Sequence, residues 1–440
     1  MPKYQLSIEV DIPEGFGEFQ AIESKIVEAS RESGRKLLEK ILRDYEAGFI
    51  DSKPVWKKDQ REKEFETMLG KISLKRWRVK DVFKKKCVYP VDCWMGLGPY
   101  QKASPGLVET TVNQCVEKPY GKATKTVALI SGVKKSVKST WKLIQGESAR
   151  RQTKIPPPDD WKGKTLPELK AGYGNICPIL GSDPDATYAK ARRKEDKKHE
   201  IKMAVIYTGK KRKGKGRWEL LNKQVVMNVV NQGADVLFNR VTDKAVKEYG
   251  LHQGSRVVSH GDGDPWIKNF KDDYCPQTLL RLDPWHVFKK IREAIDREEI
   301  PEDWYNDFYT NPGKLIGKVK HLAKEMAEKK DREKIEQLAG YLENNREGME
   351  PSKVPVEIKK QYTGMYKRGS GTIESNIFLG ICQRFKAPRM MWSEDGLKNL
   401  CFLREQYLNQ SFQFTKVTVP PKAYKEMTYA DELREIVRDL

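Results

Sequence analysis

The sequence predicts an α/β chain, α+β overall, in which a mainly helical N-terminal region precedes a larger domain with a mixed sheet. Three observations lead to this prediction. Apolar residues near the N-terminus recur at helical spacing, five short strand-like runs lie between residues 176 and 282, and a charged, mostly helical stretch follows them. Two architectures therefore follow one another along the chain, helical first and then strand-rich.

The chain carries a strong excess of positive charge. Its 440 residues hold 83 Lys and Arg against 62 Asp and Glu, a formal net charge of +21 at pH 7. Basic residues occur throughout, from Arg35 to Lys425. A basic excess over such a length favours a polyanionic partner, and nucleic acid is the first candidate.

Two classes of protein are disfavoured by the same sequence. No window approaches the roughly eighteen continuous apolar residues of a membrane span, and the opening MPKYQLSIEV lacks the features of a signal peptide. The seven cysteines show no CxxC spacing, which argues against a disulfide framework and against a zinc ribbon. We therefore expect an intracellular protein without a membrane partner.

Residues 1–67 are expected to form an N-terminal helical region. After a short strand-like opening, Tyr4 to Val10, apolar residues recur at helical spacing from Ile22 to Tyr45 within a charged background. This pattern is typical of a long amphipathic helix or a helical pair. Its apolar face fits packing against the next segment, and it also fits an oligomerisation seam between copies of the chain.

Residues 68–150 are expected to form a DNA-binding domain from a basic β element and a helix-turn-helix. Met68 to Leu97 alternates apolar and basic residues, as in a small hairpin with one face toward solvent or phosphate. Residues 120–145 show two short helical patterns separated at Gly132. Lysines that could meet phosphates near the second helix are Lys134, Lys135, Lys138 and Lys142. An ordinary αα-hairpin with a solvated lysine face fits the same pattern equally well.

Residues 151–170 are expected to be a linker. Pro156, Pro157 and Pro158 lie in this segment, followed by charged residues and glycine. Such a run cannot continue a helix and suits a stiff connection between domains. A domain boundary is therefore predicted here.

Residues 171–410 show three strand patterns, a helix and two further strand patterns. The predicted strands are Ile176 to Asp185, Thr187 to Arg192, Ile201 to Thr208, Arg256 to Ser259 and Thr278 to Leu282. A basic hairpin is expected at 210–217 and the helix at about Val225 to Tyr249. This order, with acids at the strand ends, matches the first five strands of an RNase H-like catalytic domain. A helical insertion at about 290–366 and a C-terminal tail, residues 411–440, complete the organisation.

Three acids in this domain are candidate ligands for divalent metal ions. Asp183 or Asp185 follows the first strand. Asp262 follows the fourth strand between two glycines, with Asp264 as its fallback, and Glu374 begins the last helix. Phosphodiester chemistry with two cations about 4 Å apart needs hard carboxylate ligands, which separate elements can supply. Turn chemistry also explains the first acid, and the helix dipole also explains the third.

Around these acids the sequence resembles the DDE-class insertion-sequence transposases. It is most similar to the ISLre-type group, related to the Mutator-like superfamily, whose members often carry only the description of an uncharacterised family. The resemblance rests on Asp183, Asp262 and Glu374, with LDPWHVFKK between the last two and QRFKAPRMMWSEDGLKNL after the glutamate. Upstream, KISLKRWRVKDVFKKKCVYPVDCWMGLG is similar to the family's basic β segment, so the resemblance covers about Leu69 to Leu403.

The first acid is where the sequence departs from the family's pattern. That motif usually reads Asp, Glu, Asp, His, whereas this chain has Asp183, Pro184, Asp185 and Ala186. The opening acid of the motif aligns with Asp183, which directly follows the predicted strand. We therefore favour Asp183 as the first ligand, with Asp185 as the alternative.

The resemblance also implies roles for residues around the acids. In the family the second acid is followed by Gly and a Trp-Ile pair, as here after Asp262. Asp283 and His286 match a motif that lies beside the active site and supports it, although His286 also fits an ordinary helix start. The residues implied to face DNA in this domain are Lys289, Arg384, Lys386, Arg389 and Trp392.

The function that the resemblance implies is a transposase that cleaves and joins DNA strands at the ends of an insertion sequence, through two Mg²⁺ or Mn²⁺ ions. Its expected partners are double-stranded DNA, as terminal repeats and as target, and further copies of the chain in a homodimer or larger assembly. Its expected location is the prokaryotic cytoplasm, at the nucleoid. Two alternatives stay open: a transposase-derived DNA-binding protein without catalysis, and a structure-selective nuclease with the same RNase H fold.

Overall fold

The computed structural model of the chain divides into two compact units, Met1–Lys154 and Ile155–Leu440. The described residues are 3–11, 18–81, 86–98, 100–168, 179–192, 198–214, 217–229, 233–296, 299–350, 372–388 and 390–409. The division between the units falls inside the predicted linker. The predicted C-terminal tail and the end of the predicted helical insertion lie outside the described residues.

The first unit begins with one long helix, α1 (Phe19–Ser52), which confirms the helical spacing of the N-terminal region. Residues 3–11, where a strand was expected at Tyr4 to Val10, carry no regular secondary structure. Leu42 on α1 is buried in a cluster with Phe65 and Leu74 from the following strands. The apolar face of α1 is therefore used, at least in this part, for packing within the unit.

A three-stranded antiparallel sheet follows α1. Its strands are β1 (Val55–Thr67), β2 (Gly70–Asp81) and β3 (Cys87–Val88). The predicted hairpin therefore begins at residue 55 and not at 68, and the expected division between residues 67 and 68 falls in the turn between β1 and β2. The reason is composition: the run KKDQREKE places long polar side chains on both faces of β1, so no period-two alternation of apolar residues marks it as a strand.

Four helices complete the first unit: α2 (Pro90–Trp94), α3 (Pro105–Glu117), α4 (Tyr120–Ser131) and α5 (Val137–Gln152). Gly132 ends α4 in the left-handed conformation, with a φ of 74°. The Ser136 side chain caps α5 by accepting a hydrogen bond from the backbone N–H of Ser139. The two helices predicted on either side of Gly132 are therefore present.

The second unit is built on a five-stranded sheet and a small separate hairpin. In chain order the strands are β4 (Ile179–Lys190), β5 (Lys198–Tyr207), β6 (Gly209–Gly214), β7 (Arg217–Leu221), β8 (Gln224–Val229), β9 (Arg256–Gly261) and β10 (Thr278–Leu282). The order across the sheet is β10-β9-β4-β5-β8, and β6 pairs with β7 in the hairpin. Strands β4, β5 and β8 pair with one another in antiparallel fashion, whereas β9 pairs parallel to β4 and β10 pairs parallel to β9.

Two of the predicted assignments in this sheet were wrong. One predicted strand is part of β4, and one observed strand, β8, was not predicted. Residues 179–190 form one strand, although Thr187 to Arg192 was expected to be a second one. Pro184 is tolerated inside it because the pairing of β4 with β9 ends at Gly181, so no N–H donor is needed on that side. The third antiparallel strand is β8, which the sequence pattern had assigned to the following helix. A short apolar run such as QVVMNV does not distinguish a strand from a buried helix.

The predicted linker belongs partly to the core of the second unit. Helix α6 (Ala234–Tyr249) covers one face of the sheet, and Leu166 packs with Phe238 and Tyr274 in the same buried cluster. The Trp161 backbone N–H donates a hydrogen bond to Asn239 Oδ1 at 2.7 Å. Residues 161–168 are therefore packed on this unit and are not a free connection.

Between β9 and residue 350, the described residues are mainly helical apart from β10. A short helix, α7 (Pro265–Asn269), and a π-helical turn (Phe270–Tyr274) precede β10. The described helices after β10 are α8 (Pro284–Ile295), α9 (Glu302–Thr310), α10 (Pro312–Glu325), α11 (Lys329–Asn344) and α12 (Arg346–Met349). These helices have a core of their own that includes Phe308, Leu315 and Leu342. The described part of the predicted insertion is therefore helical, as expected.

The last described helices pack against the sheet. They are α13 (Thr372–Ile377), a π-helical turn (Phe378–Cys382), α14 (Gln383–Phe385) and α15 (Glu394–Asn409). Glu405 on α15 accepts a hydrogen bond from the backbone N–H of Met227 at 2.6 Å and another from Arg240 at 2.6 Å, which joins α15 to β8. Across the described residues, every helix is too short or too polar to cross a membrane.

A glycine in β4 sets a packing limit that can be tested. A Cβ atom on Gly181 would lie 2.2 Å from Cζ of the fully buried Tyr207 ring. Because displacing a buried ring strains its surroundings, Gly181→Ala is expected to lower the free energy of unfolding by about 1–3 kcal/mol, measured by urea denaturation.

The matched control is Gly317→Ala in α10, where no atom lies within 4 Å of the Cβ position. Alanine favours a helix over glycine by up to about 1 kcal/mol, so this variant is expected to be as stable as the parent or more so. Equal losses in the two variants would contradict the packing limit.

Candidate active site

The carboxyl ends of β9 and β10, together with the middle of the neighbouring strand β4, bring aspartates to one edge of the sheet. Strands β9 and β10 are paired through their last residues, so Asp262 and Asp283, which follow them, lie at the same level. In the register of β4 with β9, Gly181 pairs with Val258. Continuing that register places Asp185 level with Asp262. Acids from three strands therefore meet at this edge.

A small cleft at this edge gathers carboxylates and imidazoles. The ionisable residues that line it are Asp185, Asp262, Asp283, Glu374, His260 and His286. Glu374 comes from the first turn of α13, which packs on β4 and β5. Five of the residues named from the sequence are therefore brought together by the fold: Asp262, Asp283, His286, Glu374 and the alternative first acid, Asp185.

The structure places Asp185, and not Asp183, at the cleft. Asp183 is fully buried, and its Oδ1 accepts a hydrogen bond from the backbone N–H of His260 at 3.0 Å and lies 3.0 Å from His260 Nδ1. The Tyr207 hydroxyl donates to Asp183 Oδ2 at 3.0 Å. Both oxygens of Asp183 are thus used inside the protein, so Asp185, the alternative, takes the position at the cleft that the resemblance assigned to Asp183.

Burial and like charge raise the pKa values of two acids in the cleft, Asp185 and Asp283. Burial, together with the nearby carboxylates of Asp262 and Glu374, raises the pKa of Asp185 to about 6. The pKa of Asp283 is raised mainly by its burial and further by Glu374. Carboxylates crowded together with shifted pKa values in a cleft are typical of a functional site.

His286 and Glu374 form an ion pair within the cleft. His286 Nε2 lies 3.4 Å from Glu374 Oε1, and this hydrogen bond raises the pKa of His286. Burial has the strongest influence on Glu374 and raises its pKa, but hydrogen bonds from His286 and from the backbone together hold that pKa below its ordinary value. Glu374 Oε2 is buried and has no hydrogen-bond partner among the described residues. One oxygen of Glu374 is therefore oriented, and the other is left for a further ligand.

Helix α11 of the insertion holds the loop that carries Asp262. The Tyr341 hydroxyl donates to the backbone oxygen of Asp262 at 2.6 Å. Gly263 has a φ of 86°, and a Cβ atom there would lie 2.8 Å from the Asn345 side-chain amide. Only glycine fits this close approach without strain. Asp264, the fallback for the second acid, lines a neighbouring cavity and not the carboxylate cleft.

Two residues of the site were missed in the sequence. His260 lies near the end of β9 and only two positions before Asp262, and this closeness to a predicted ligand is the signal that could have found it. Burial lowers the pKa of Lys210, and the carboxylates of Asp183, Asp283 and Glu374 oppose that change, so its ammonium group lies near the acids. Nothing in the run KKRKGKGR distinguishes this lysine from its exposed neighbours.

The residues implied to face DNA in this unit divide into two groups. Lys289 and Lys386 are exposed. Arg384 is 1% exposed and Trp392 is 7% exposed, and the Arg384 guanidinium lies 5.0 Å from the centroid of the Trp392 ring. Neither of these two buried side chains can reach a phosphate, so that expectation was wrong for both. Arg389 lies outside the described residues.

The lysines predicted to meet phosphate in the first unit also divide. Lys134, Lys138 and Lys142 are exposed on α5 and on the turn before it. Lys135 instead forms an ion pair with Glu66, in which both side chains are largely buried. Three of the four lysines are therefore available to a polyanion, and Lys135 serves the packing of the unit.

Comparison with known proteins gives a family and a distant structural match. Residues 13–417 match the model described as Uncharacterised protein family (UPF0236). Two proteins of that family from Caldanaerobacter subterraneus subsp. tengcongensis are 22% and 23% identical to this chain, covering 87% of it in each case and 76% and 77% of the relatives. The name of the first relative carries eleven locus designations.

Among solved structures, the Drosophila P element transposase strand transfer complex matches 72% of this chain and 83% of that chain, with 10% identity and a TM-score of 0.24. At this TM-score the match supports no conclusion about fold or function.

Asparagine substitutions at the two neighbouring aspartates are expected to change stability in opposite directions. The pKa of Asp185 is raised in the folded protein, so its contribution is favourable below about pH 4 and is lost as the pH rises through about 6. Asp185→Asn should therefore raise the free energy of unfolding at pH 7 by about 1–3 kcal/mol in the presence of a chelator. The gain should vanish near pH 4.

Asp183→Asn provides the contrast, because the pKa of Asp183 is lowered by His260 against the effect of burial. The stabilisation that the Asp183 carboxylate provides is present at pH 7. It is lost as the pH falls below the ordinary pKa of an aspartate. The amide cannot accept the hydrogen bonds of both His260 and Tyr207 as the carboxylate does, so a loss of about 1–3 kcal/mol is expected. Urea unfolding at both pH values measures the pair, and destabilisation by Asp185→Asn at pH 7 would contradict the assignment of the two positions.

Proposed function

The chain belongs to the uncharacterised protein family UPF0236, and we propose that it is a transposase that cleaves and joins DNA strands by metal-dependent phosphoryl transfer. The observation that carries the proposal is the cleft in which Asp185, Asp262 and Glu374 converge from separate elements. The resemblance of the surrounding motifs makes it, in this proposal, a DDE-class insertion-sequence transposase of the ISLre type.

The second unit is proposed to be an RNase H-like catalytic domain. Its topology supports this: three antiparallel strands, a helix, and then two strands that run parallel to the first. The acids of the cleft follow β9 and β10 and lie in β4 at the same edge, with Glu374 on a helix that packs against the sheet. An active site at the carboxyl ends of parallel strands is common in such sheets.

The residues of the cleft fit divalent cations. Glu374 has a buried oxygen without a partner among the described residues, and burial together with the nearby carboxylates of Asp262 and Glu374 raises the pKa of Asp185. Within the described ranges, no three His, Cys, Asp or Glu side chains are already arranged as a complete metal site. Mg²⁺ needs no such cage, because it commonly binds through one or two carboxylates, several waters and substrate phosphates.

Asp185, Asp262 and Glu374 are the proposed ligands of two Mg²⁺ or Mn²⁺ ions. When bound, such ions supply charge neutralisation and an activated oxygen nucleophile for phosphodiester cleavage. His286 orients Glu374 through its hydrogen bond. The Asp283 carboxylate accepts the Trp285 backbone N–H at 2.8 Å and so fixes the start of α8 beside the cleft.

Double-stranded DNA is the proposed partner, as terminal repeat and as target. The net charge of +21 supports a polyanionic partner. In the first unit, α4 and α5 are proposed to act as a helix-turn-helix, with Lys134, Lys138 and Lys142 available to phosphates. A homodimer or larger assembly is proposed because two ends of an element must be processed together.

The distribution of the family in one bacterium also supports a mobile element. One relative has a single protein name that covers eleven loci. Repeated insertion of one element would leave such a set of copies. A protein with one cellular role would not require them.

Strand cleavage tests the proposal directly. A labelled duplex carrying the element's own end is incubated with Mg²⁺ or Mn²⁺, and release of a 3′-hydroxyl end is measured. We expect the cleavage rate to fall by at least about a hundredfold in each of three variants, Asp185→Asn, Asp262→Asn and Glu374→Gln. Each variant removes a negative charge that the proposed metal ions need. Asp272→Asn, at a solvent-exposed aspartate of the same unit, is the matched control and should cleave as the parent does.

Each other outcome assigns a different function. Specific, tight binding of the end without cleavage by the parent would identify a DNA-binding protein that has lost catalysis. Metal-dependent cleavage of branched DNA, without preference for the end sequence, would identify a structure-selective nuclease. Cleavage that survives Asp262→Asn and Glu374→Gln would show that the chemistry does not lie in this cleft.

A further inference from the structure

Helix α8 presents a second surface beside the cleft. His286 on this helix faces the acids, whereas its neighbour Trp285 is 57% exposed. The two rings touch edge to face, with centroids 4.8 Å apart. Lys289 Nζ lies 5.3 Å from the centroid of the Trp285 ring. A solvent-facing aromatic ring with a lysine beside it therefore lies directly next to the acidic cleft.

The surface continues along α8 onto α9. Arg292 follows Lys289 by one further helical step and is also exposed. Tyr305 on α9 is 47% exposed and Tyr309 is 38% exposed, with their ring centroids 5.4 Å apart. Tyr305 is held in place by stacking on the buried Phe288, at 4.4 Å between centroids. The α8–α9 strip is defined as Trp285, Lys289, Arg292, Tyr305 and Tyr309.

The chemistry of this strip matches one kind of ligand. Aromatic faces bind the faces of nucleic-acid bases, and the basic side chains bind phosphates. In a paired duplex the base faces are covered by their neighbours, so exposed aromatic rings select unpaired nucleotides. Lys289 lies 3.8 Å from Glu293, an exposed ion pair of little energy that a phosphate can replace.

We propose that the α8–α9 strip binds unpaired nucleotides of the DNA strand adjacent to the carboxylate cleft. Bases would stack on Trp285 and Tyr305, and Lys289 and Arg292 would hold the backbone. The contact between Trp285 and His286 makes this surface continuous with the site of chemistry. The inference rests on the proposed function for its biological role, while the binding itself is testable without catalysis.

The experiment measures binding of a fluorescein-labelled oligothymidylate of about 12 nucleotides to the full chain by anisotropy, in the presence of a chelator. Trp285→Ala is expected to weaken binding by at least about fivefold, because stacking of one base on an aromatic ring contributes about that much or more. Trp285→Phe should keep most of the affinity, since it retains an aromatic face.

The control is Phe19→Ala at the start of α1, outside the segments expected to bind DNA. Phe19 is 78% exposed, so it also presents an aromatic ring to solvent. Its substitution should leave the binding unchanged. Urea unfolding of all variants checks that each is folded.

A second readout separates the charge from the aromatic ring. Lys289→Gln should reduce the slope of log Kd against log salt concentration by about 0.7, the value for one phosphate contact on a single strand. Trp285→Ala should leave that slope nearly unchanged while it weakens binding. If both variants changed the affinity and the salt slope in the same way, separate contacts to base and phosphate would be contradicted.

The outcomes also separate this inference from the proposed function. End cleavage by the parent, with oligothymidylate binding unaffected by Trp285→Ala or equally weakened by Phe19→Ala, would contradict binding by the strip and leave the proposal of a transposase standing. Binding that depends on Trp285, without cleavage under any metal condition, would support nucleotide binding by the α8–α9 strip. It would contradict the proposed transposase function. A change in oligomeric state on Trp285→Ala, with unchanged oligothymidylate binding, would overturn the strip and assign this face to a second copy of the chain.

Discussion

The hydrogen bonds of one buried carboxylate join β4, β5 and β9, the three central strands of the sheet that carries the candidate site. Asp183 lies in β4, accepts from His260 in β9 and accepts from Tyr207 in β5. Burying a carboxylate is costly unless it is fully paired, so these three side chains must keep their places together. The same contacts fix the register of β9 against β4. This register places Asp185 level with Asp262.

Above this anchor, crowding of negative charge opposes the folded state. Burial and the carboxylates of Asp262 and Glu374 raise the pKa of Asp185, so the cleft is held together by other contacts and not by attraction among its carboxylates. The insertion provides one such contact through the Tyr341 hydroxyl, and His286 provides another through Glu374. A cleft strained in this way gains stability when positive charge enters, which connects its energetics to the proposed metal-dependent chemistry.

Much of the architecture follows from local patterns. Strands β9 and β10 stand out as short apolar runs, each followed by an acid, and both were predicted close to their observed bounds. Asp262 could be named from its position after an apolar strand and between two glycines, whereas the role of Asp283 came from the family resemblance. The long N-terminal helix and the helical insertion were predictable for a similar reason, since a helical period repeated over many residues leaves little ambiguity.

The rest depends on partners that are distant along the chain. Asp183 and Asp185 point to the same face of one strand, and only the positions of Tyr207 and His260 make the first a buried anchor and the second a cleft residue. Strand β8 is a strand because β5 and α15 pack on it, not because of its own period. The sequence of this protein therefore specifies which segments are helical, which runs can be strands and which acids are candidates. Packing alone assigns each acid its task, because the cost of burying a charge depends on the groups that meet it in space.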